Sequence, residues 1–224
     1  MQSITKRVVA ELFGTFVFVL VGAGSAVTSA YIGLNPALSL LVAALANGVG
    51  LAVAVSSTMG ISGGHLNPAV SVSLAIGRKF KAIELVPYII AQLLGSIFAS
   101  YILLFLLPHP YVEVTKIGSP SLSQNITVSQ GILLEAVMTF VLVLAVYGTA
   151  VDQRGPKIGG FGIGLAVLVD VLLGGPLTGA AMNPARAMGP MIVSDFLPSY
   201  WYIYWVGPLL GGIVAGLTYR YLME

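Results

Sequence analysis

SGGHLNPAV, residues 62–70, is the stretch on which the fold turns, because its core returns in TGAAMNPAR, residues 178–186. Both contain Asn-Pro-Ala, as Asn67-Pro68-Ala69 and as Asn183-Pro184-Ala185. Asparagine is among the best helix N-caps, and proline at the next position loses only an N–H that would be unpaired anyway. Each tripeptide therefore reads as a helix start. The apolar runs they open, 67–77 and 183–193, reach only about 15 Å at about 1.5 Å per residue. A bilayer core is about 30 Å thick, so these segments enter it without crossing. Broken helices at that depth are tolerated where they line a cavity or a binding site.

The rest of the chain supplies the membrane spans. Of 224 residues, 57% are hydrophobic and 8% charged, with a mean hydropathy of +0.97. Soluble domains carry about 25% charge, so this is the composition of an integral membrane protein. A net charge of +2 gives no reason to expect a nucleic-acid partner. With no cysteine there is no disulfide framework, thiolate ligand or cysteine nucleophile. Six segments are long and apolar enough to span as helices, roughly 8–30, 38–58, 82–107, 129–150, 158–176 and 199–222. The first follows Lys6-Arg7, lacks a clear cleavage site and reads as a span rather than a signal peptide. The expected fold is an all-α membrane protein with six transmembrane helices and two re-entrant half-helices.

If six spans alternate, Lys6, Arg7, Arg78, Lys79, Lys81, Arg154, Lys157 and Arg220 fall on one side, with Lys116 the loop cation on the other. The positive-inside rule then places both termini in the cytoplasm of a multi-pass cell-membrane protein. The halves are also copies. Glu11, Thr15-Phe16-Val17 and Val19-Leu20 match Glu135, Thr139-Phe140-Val141 and Val143-Leu144. Tyr88 and Leu93-Leu94-Gly95 match Tyr204 and Leu209-Leu210-Gly211, with the same offset of 116 residues that separates the two Asn-Pro-Ala motifs. Three spans per half is an odd number, so the second copy enters from the opposite face. Residues 1–224 read as one domain built from an inverted repeat, halves about 1–108 and 109–224, with the functional site where the halves meet. Segment 108–128 reads as a polar extracellular link, and Asn125-Ile126-Thr127 within it is a glycosylation sequon.

Inversion makes the two helix starts face each other near the midplane. Their free N–H groups and positive dipole ends meet there, and the Asn67 and Asn183 amides can donate into the gap. A neutral hydrogen-bond acceptor is held by such a site, while a cation loses hydration and finds no acceptor. The approach loops, 60–66 and 174–182, read as too irregular to be helical, with carbonyls left for a file of permeating molecules. Glu11 and Glu135 are acids placed in lipid-depth segments, and the expected role is to accept backbone N–H groups from those loops. His65 is expected to brace the first loop with its side chain and line the path with its carbonyl. Asp170 reads either as a vestibule residue or as part of a subunit contact. The aromatics at 200–205 read as an interfacial belt, and glycines such as Gly22, Gly95 and Gly211 as points of close helix packing.

With these motifs the chain resembles the aquaporin and glycerol-channel family, the major intrinsic proteins, over essentially its whole length. The resemblance implies a passive channel for water, with glycerol or other small neutral solutes as further substrates and with protons and ions excluded. It also implies a homotetramer in the lipid bilayer with one pore per chain. Carried over by counting from the motifs, its selectivity filter falls on Asn47, Val171, Ala180 and Arg186. This chain departs from the family at two of them: water-selective members usually have an aromatic and a histidine where Asn47 and Val171 stand. Ala187 replaces the aspartate that follows the arginine in glycerol channels, and Tyr204-Trp205 looks like the aromatic pair of water channels.

Two other classes compete, beside a junctional or purely structural role that would leave the pore closed and give no flux. A secondary transporter also uses inverted repeats and broken helices, but should place coupling carboxylates at the midplane. An intramembrane enzyme needs a nucleophile–base pair or a metal cluster, and two histidines without cysteine assemble neither. No metal, cofactor or catalytic residue is expected.

Overall fold

The computed structural model describes residues 2–223, so the two end positions of the expected 1–224 domain lie outside the described residues. Among the described residues there are nine α-helices and no strand. The helices are α1 (Ile4–Tyr31), α2 (Pro36–Ser62), α3 (Pro68–Ile76), α4 (Leu85–Leu106), α5 (His109–Thr115), α6 (Val128–Val146), α7 (Gly159–Thr178), α8 (Pro184–Val193) and α9 (Ile203–Met223). Among the described residues, five elements are long and apolar enough to cross a membrane by length and composition: α1, α2, Ala82–Leu106, Val128–Val151 and α7. The sixth, α9, packs against α6 as α4 packs against α1. Helices α3 and α8 have 9 and 10 residues and are the two re-entrant pieces.

The two halves interlock. Helix α8 of the second half packs on α4 of the first, and α3 of the first packs on α9 of the second, while α2 and α7 meet along the centre. Small residues set how close these helices come. A Cβ on Gly95 would overlap the Leu12 carbonyl, and one on Gly211 would overlap the Ala136 carbonyl. At the α2–α7 crossing a Cβ on Gly48 would stand 2.7 Å from Leu168 Cβ. Without a solvent-driven hydrophobic effect between helices in lipid, such backbone approaches supply the contact that holds a bundle together.

Three expectations need correction. The approach loops are shorter than the sequence suggests, because α2 continues through Ser62 and α7 through Thr178. Each helix stops where a glycine adopts a left-handed conformation that other residues avoid, Gly63 at φ 96° and Gly179 at φ 83°. Tyr204 does not belong to the interfacial belt: it is fully buried, its hydroxyl donating to Thr178 O at 2.8 Å. Segment 108–128 is more than a polar link, since α5 and the turn Lys116–Gly118 fold back onto α1 and bury Val112 and Ile117.

Candidate functional site

Both asparagines cap the helices they precede. Asn67 Oδ1 accepts from Ala69 N at 2.8 Å, and Asn183 Oδ1 accepts from Ala185 N at 2.9 Å and Arg186 N at 3.2 Å. Pro68 and Pro184 occupy the first helical positions. The amide nitrogens reach across between the halves: Asn67 Nδ2 donates to Met182 O at 2.9 Å, and Asn183 Nδ2 donates to Leu66 O at 2.8 Å. The starts of α3 and α8 are thereby tied together back to back. Each amide spends one N–H on this tie and keeps a second that takes no protein acceptor.

Leu66 and Met182 make the tie possible. Both lie at φ 51°, a left-handed conformation that costs a non-glycine residue about 1–3 kcal/mol. Two buried acids offset that cost by gripping the loops from behind. Glu11 accepts from His65 N at 3.0 Å and Leu66 N at 2.7 Å, and also from Ser62 Oγ and Gln92 Nε2. Glu135 accepts from Ala181 N at 3.0 Å, Met182 N at 2.7 Å and Thr178 Oγ1 at 2.6 Å. Tyr88 donates to Ser62 O as Tyr204 donates to Thr178 O. Sequence reasoning did not single out Leu66, Met182, Ser62, Thr178 or Gln92. The 116-residue offset, applied to hydroxyl residues, would have paired Ser62 with Thr178. Nothing in the sequence marks a leucine or methionine for a left-handed turn.

His65 breaks the symmetry, its counterpart at the same offset being Ala181. Its Nδ1 lies 3.0 Å from Ser71 Oγ, and its ring packs against Phe80 and Tyr88.

Three cavities meet at this centre through shared lining residues. A narrow one of about 20 Å³ is bordered by Asn67, Asn183, Ala180 and a mostly apolar wall that includes Phe18, Leu51 and Val167. A vestibule of about 560 Å³ opens on one side, bordered by Asn47, Val171 and Arg186. A cavity of about 340 Å³ opens on the other, bordered by His65, Gly63 and Gly64. Asn47 borders both the vestibule and the narrow part, and His65 both the narrow part and the far cavity. Of the four residues counted from the motifs, Asn47, Val171 and Arg186 share the vestibule and Ala180 lies one step deeper.

Arg186 is 6% exposed, and its Nη1 donates to Gly118 O at 3.0 Å. Gly118, in the segment read as a link, is thus what anchors the arginine. Asp170 is buried at 3% exposure, lines none of these three cavities and leaves Oδ2 without a protein partner, so it fits neither the vestibule nor an outer subunit surface.

This geometry has definite chemical limits. The narrow cavity is bordered by three amides, those of Asn47, Asn67 and Asn183, one imidazole and mostly apolar groups, with no acid among its lining residues. Both buried glutamates face away, committed to loop N–H groups. Among the described residues no group of three or more His, Cys, Asp or Glu could hold a metal ion. The centre offers donors and a dry wall, which suits a neutral solute able to accept hydrogen bonds.

The sequence matches the Major intrinsic protein family profile over residues 1–219. It is 43% identical to Aquaporin TIP4-4 of Zea mays over 222 residues, covering 96% of this chain and 85% of that protein. It is 38% identical to Aquaporin AqpM of Methanothermobacter marburgensis over 243 residues, covering 99% of both. Among solved structures, the fold matches the X-ray structure of the aquaglyceroporin from Plasmodium falciparum with a TM-score of 0.88. That match has 24% identity and covers 99% of this chain and 97% of the other.

Proposed function

The chain belongs to the major intrinsic protein family, and on that premise we propose how a passive membrane channel for water and small neutral solutes is built into it. It is a channel and not an enzyme. The observation that carries the proposal is the crossed pair of bonds from Asn67 to Met182 O and from Asn183 to Leu66 O. Those bonds hold two helix N-termini at the narrowest cavity, each leaving one amide N–H for the lumen. A water molecule there accepts from both asparagines at once. Its own hydrogens then point away from the centre on both sides, and a continuous proton wire is interrupted.

Charge is handled by the same parts. Each helix N-terminus carries about half a positive charge, so the pair presents about one. At about 5 Å and an effective dielectric of about 20, a monovalent cation is repelled by about 3 kcal/mol, or more than a hundredfold in population. Arg186 adds a full charge in series at the vestibule. We assign Asn47, Val171, Ala180 and Arg186 to the selectivity filter, with the Arg186 guanidinium donating to the passing solute. Glu11, Glu135 and His65 act as loop supports, and the crossed bonds between two matching loop–helix units favour reading 1–224 as one domain of two halves. The basic loops favour cytoplasmic termini, and the proposed location is the cell membrane. Family membership favours a homotetramer.

Stopped-flow light scattering on proteoliposomes tests this reading. An osmotic step should give fast, pH-independent shrinkage with a low activation energy, and a glycerol or urea gradient should then report neutral-solute flux. Arg186→Val should keep water flux and admit cations. Flux equal to that of empty liposomes, with folding verified, refutes the proposal.

A further inference from the structure

Gly22 lies buried on α1, facing Asn47 of α2 across the vestibule wall. A Cβ built at position 22 would overlap Asn47 Oδ1 and stand 3.0 Å from its Cγ. The Asn47 amide therefore occupies the space a side chain at 22 would take. It is held there by its own helix, with Nδ2 donating to Ala43 O at 2.9 Å, while Oδ1 takes no protein donor. Gly22, Asn47, Val171 and Arg186 all border the wide vestibule, and Asn47 also borders the narrow cavity beneath it. This amide thus stands where the vestibule meets the narrow cavity.

We propose that Gly22 is a specificity-determining residue of the channel: by lacking a side chain it lets Asn47 lie flat against α1, and so keeps the filter open to neutral solutes wider than water. The inference rests on the placement of the filter at Asn47 and Arg186. The χ2 torsion of asparagine is broad, so the clashing amide can swing while the side chain stays rooted on α2. A methyl group at 22 pushes the amide off α1 and toward the vestibule that Asn47 borders. The filter closes from a position that itself presents no side chain to the vestibule. Asn47 supplies the closing group, and Gly22 decides where that group rests.

The experiment uses the full chain in proteoliposomes, with water, glycerol and urea permeabilities measured on each variant and folding checked by circular dichroism and gel filtration. Gly22→Ala should lower the glycerol-to-water ratio by about tenfold, equivalent to about 1.4 kcal/mol. Adding Asn47→Ala should restore the ratio, because no amide remains to be displaced. Should Gly22→Ala alone fail to fold, the comparison of Asn47→Ala with Gly22→Ala/Asn47→Ala still decides, since the new methyl then meets space left by the amide and the two should match. An unchanged ratio in folded Gly22→Ala overturns the proposal, as does a double variant that stays restrictive. A wild type that passes water but neither solute also overturns it, because the filter would not be open. Arg186→Val separates the premise from the inference: if it leaves solute and cation selectivity unchanged, the filter lies elsewhere and the premise itself fails.

Discussion

Replacing Glu135 with glutamine is the sharpest test of how the second loop is held. The wild-type carboxylate accepts from Ala181 N, Met182 N and Thr178 Oγ1, at 3.0, 2.7 and 2.6 Å. Two of these donors are backbone groups that cannot reverse role. Glutamine keeps one oxygen and presents an amino group where the other stood. The least costly placement leaves the oxygen toward Thr178 and Ala181 and turns the amino group on Met182 N. One charge-assisted bond is then lost, at about 1.5–3 kcal/mol, and a buried N–H is left facing a donor, at about 1–3 kcal/mol. The sum, about 2.5–6 kcal/mol, is a large share of an ordinary domain's 5–15 kcal/mol. Met182 is also the left-handed residue whose carbonyl receives Asn67, so the damage should reach the pore. Thermal unfolding in detergent should show a marked loss of stability, and water flux per folded protein should fall. A Glu135→Gln variant within about 0.5 kcal/mol of wild type, with normal flux, would refute the claim that the carboxylate holds the loop.

Asn183→Ala should destabilise more than Asn67→Ala, because Asn183 Oδ1 caps two N–H groups and Asn67 Oδ1 one. A lost cap costs about 1 kcal/mol, and paired thermal melts would measure the difference. Gly95→Ala and Gly211→Ala should each fail to give folded protein or cost more than about 3 kcal/mol, since the new Cβ meets backbone carbonyls that cannot rotate away. Gel filtration after membrane extraction reads that outcome. Asp152 lies outside the spans, and its carboxyl is held below the usual carboxylate range, chiefly by the Arg154 side chain and then by the Arg154 backbone N–H. A depressed folded-state value means the contribution is complete above the ordinary value of 3.8 and is lost as pH falls toward the folded one. The melting difference between wild type and Asp152→Asn should therefore be constant down to about pH 5 and shrink in stronger acid. A difference that grows on acidification would contradict the pairing.

The six spans, the two half-helices and the inversion were legible because membrane folding leaves so coarse a signature. Segments of about 20 apolar residues cross the bilayer and those of half that length do not, and a repeated Asn-Pro marks where each short one begins. Glu11 and Glu135 stood out because an acid is costly at that depth. The ends of α2 and α7 were misjudged because glycine-rich sequence looks irregular, while the backbone stays helical until Gly63 and Gly179 turn left-handed. Tyr204 was misread because an aromatic near a span end suits a belt as well as a buried hydrogen bond, and only the carbonyl of Thr178 distinguishes them.

The sequence by itself determined the class of molecule, the order of its spans and half-helices and the two asparagines at its centre, since burial in lipid, helix capping and repeat offset all act locally or periodically along the chain. Only the tertiary structure decided what those residues touch. The crossed bonds between Asn67, Met182, Asn183 and Leu66, the hold of Gly118 O on Arg186 and the recess at Gly22 that houses Asn47 join positions from 25 to 117 residues apart. Such contacts depend on how close packed helices approach, and neither hydropathy nor a motif encodes that distance.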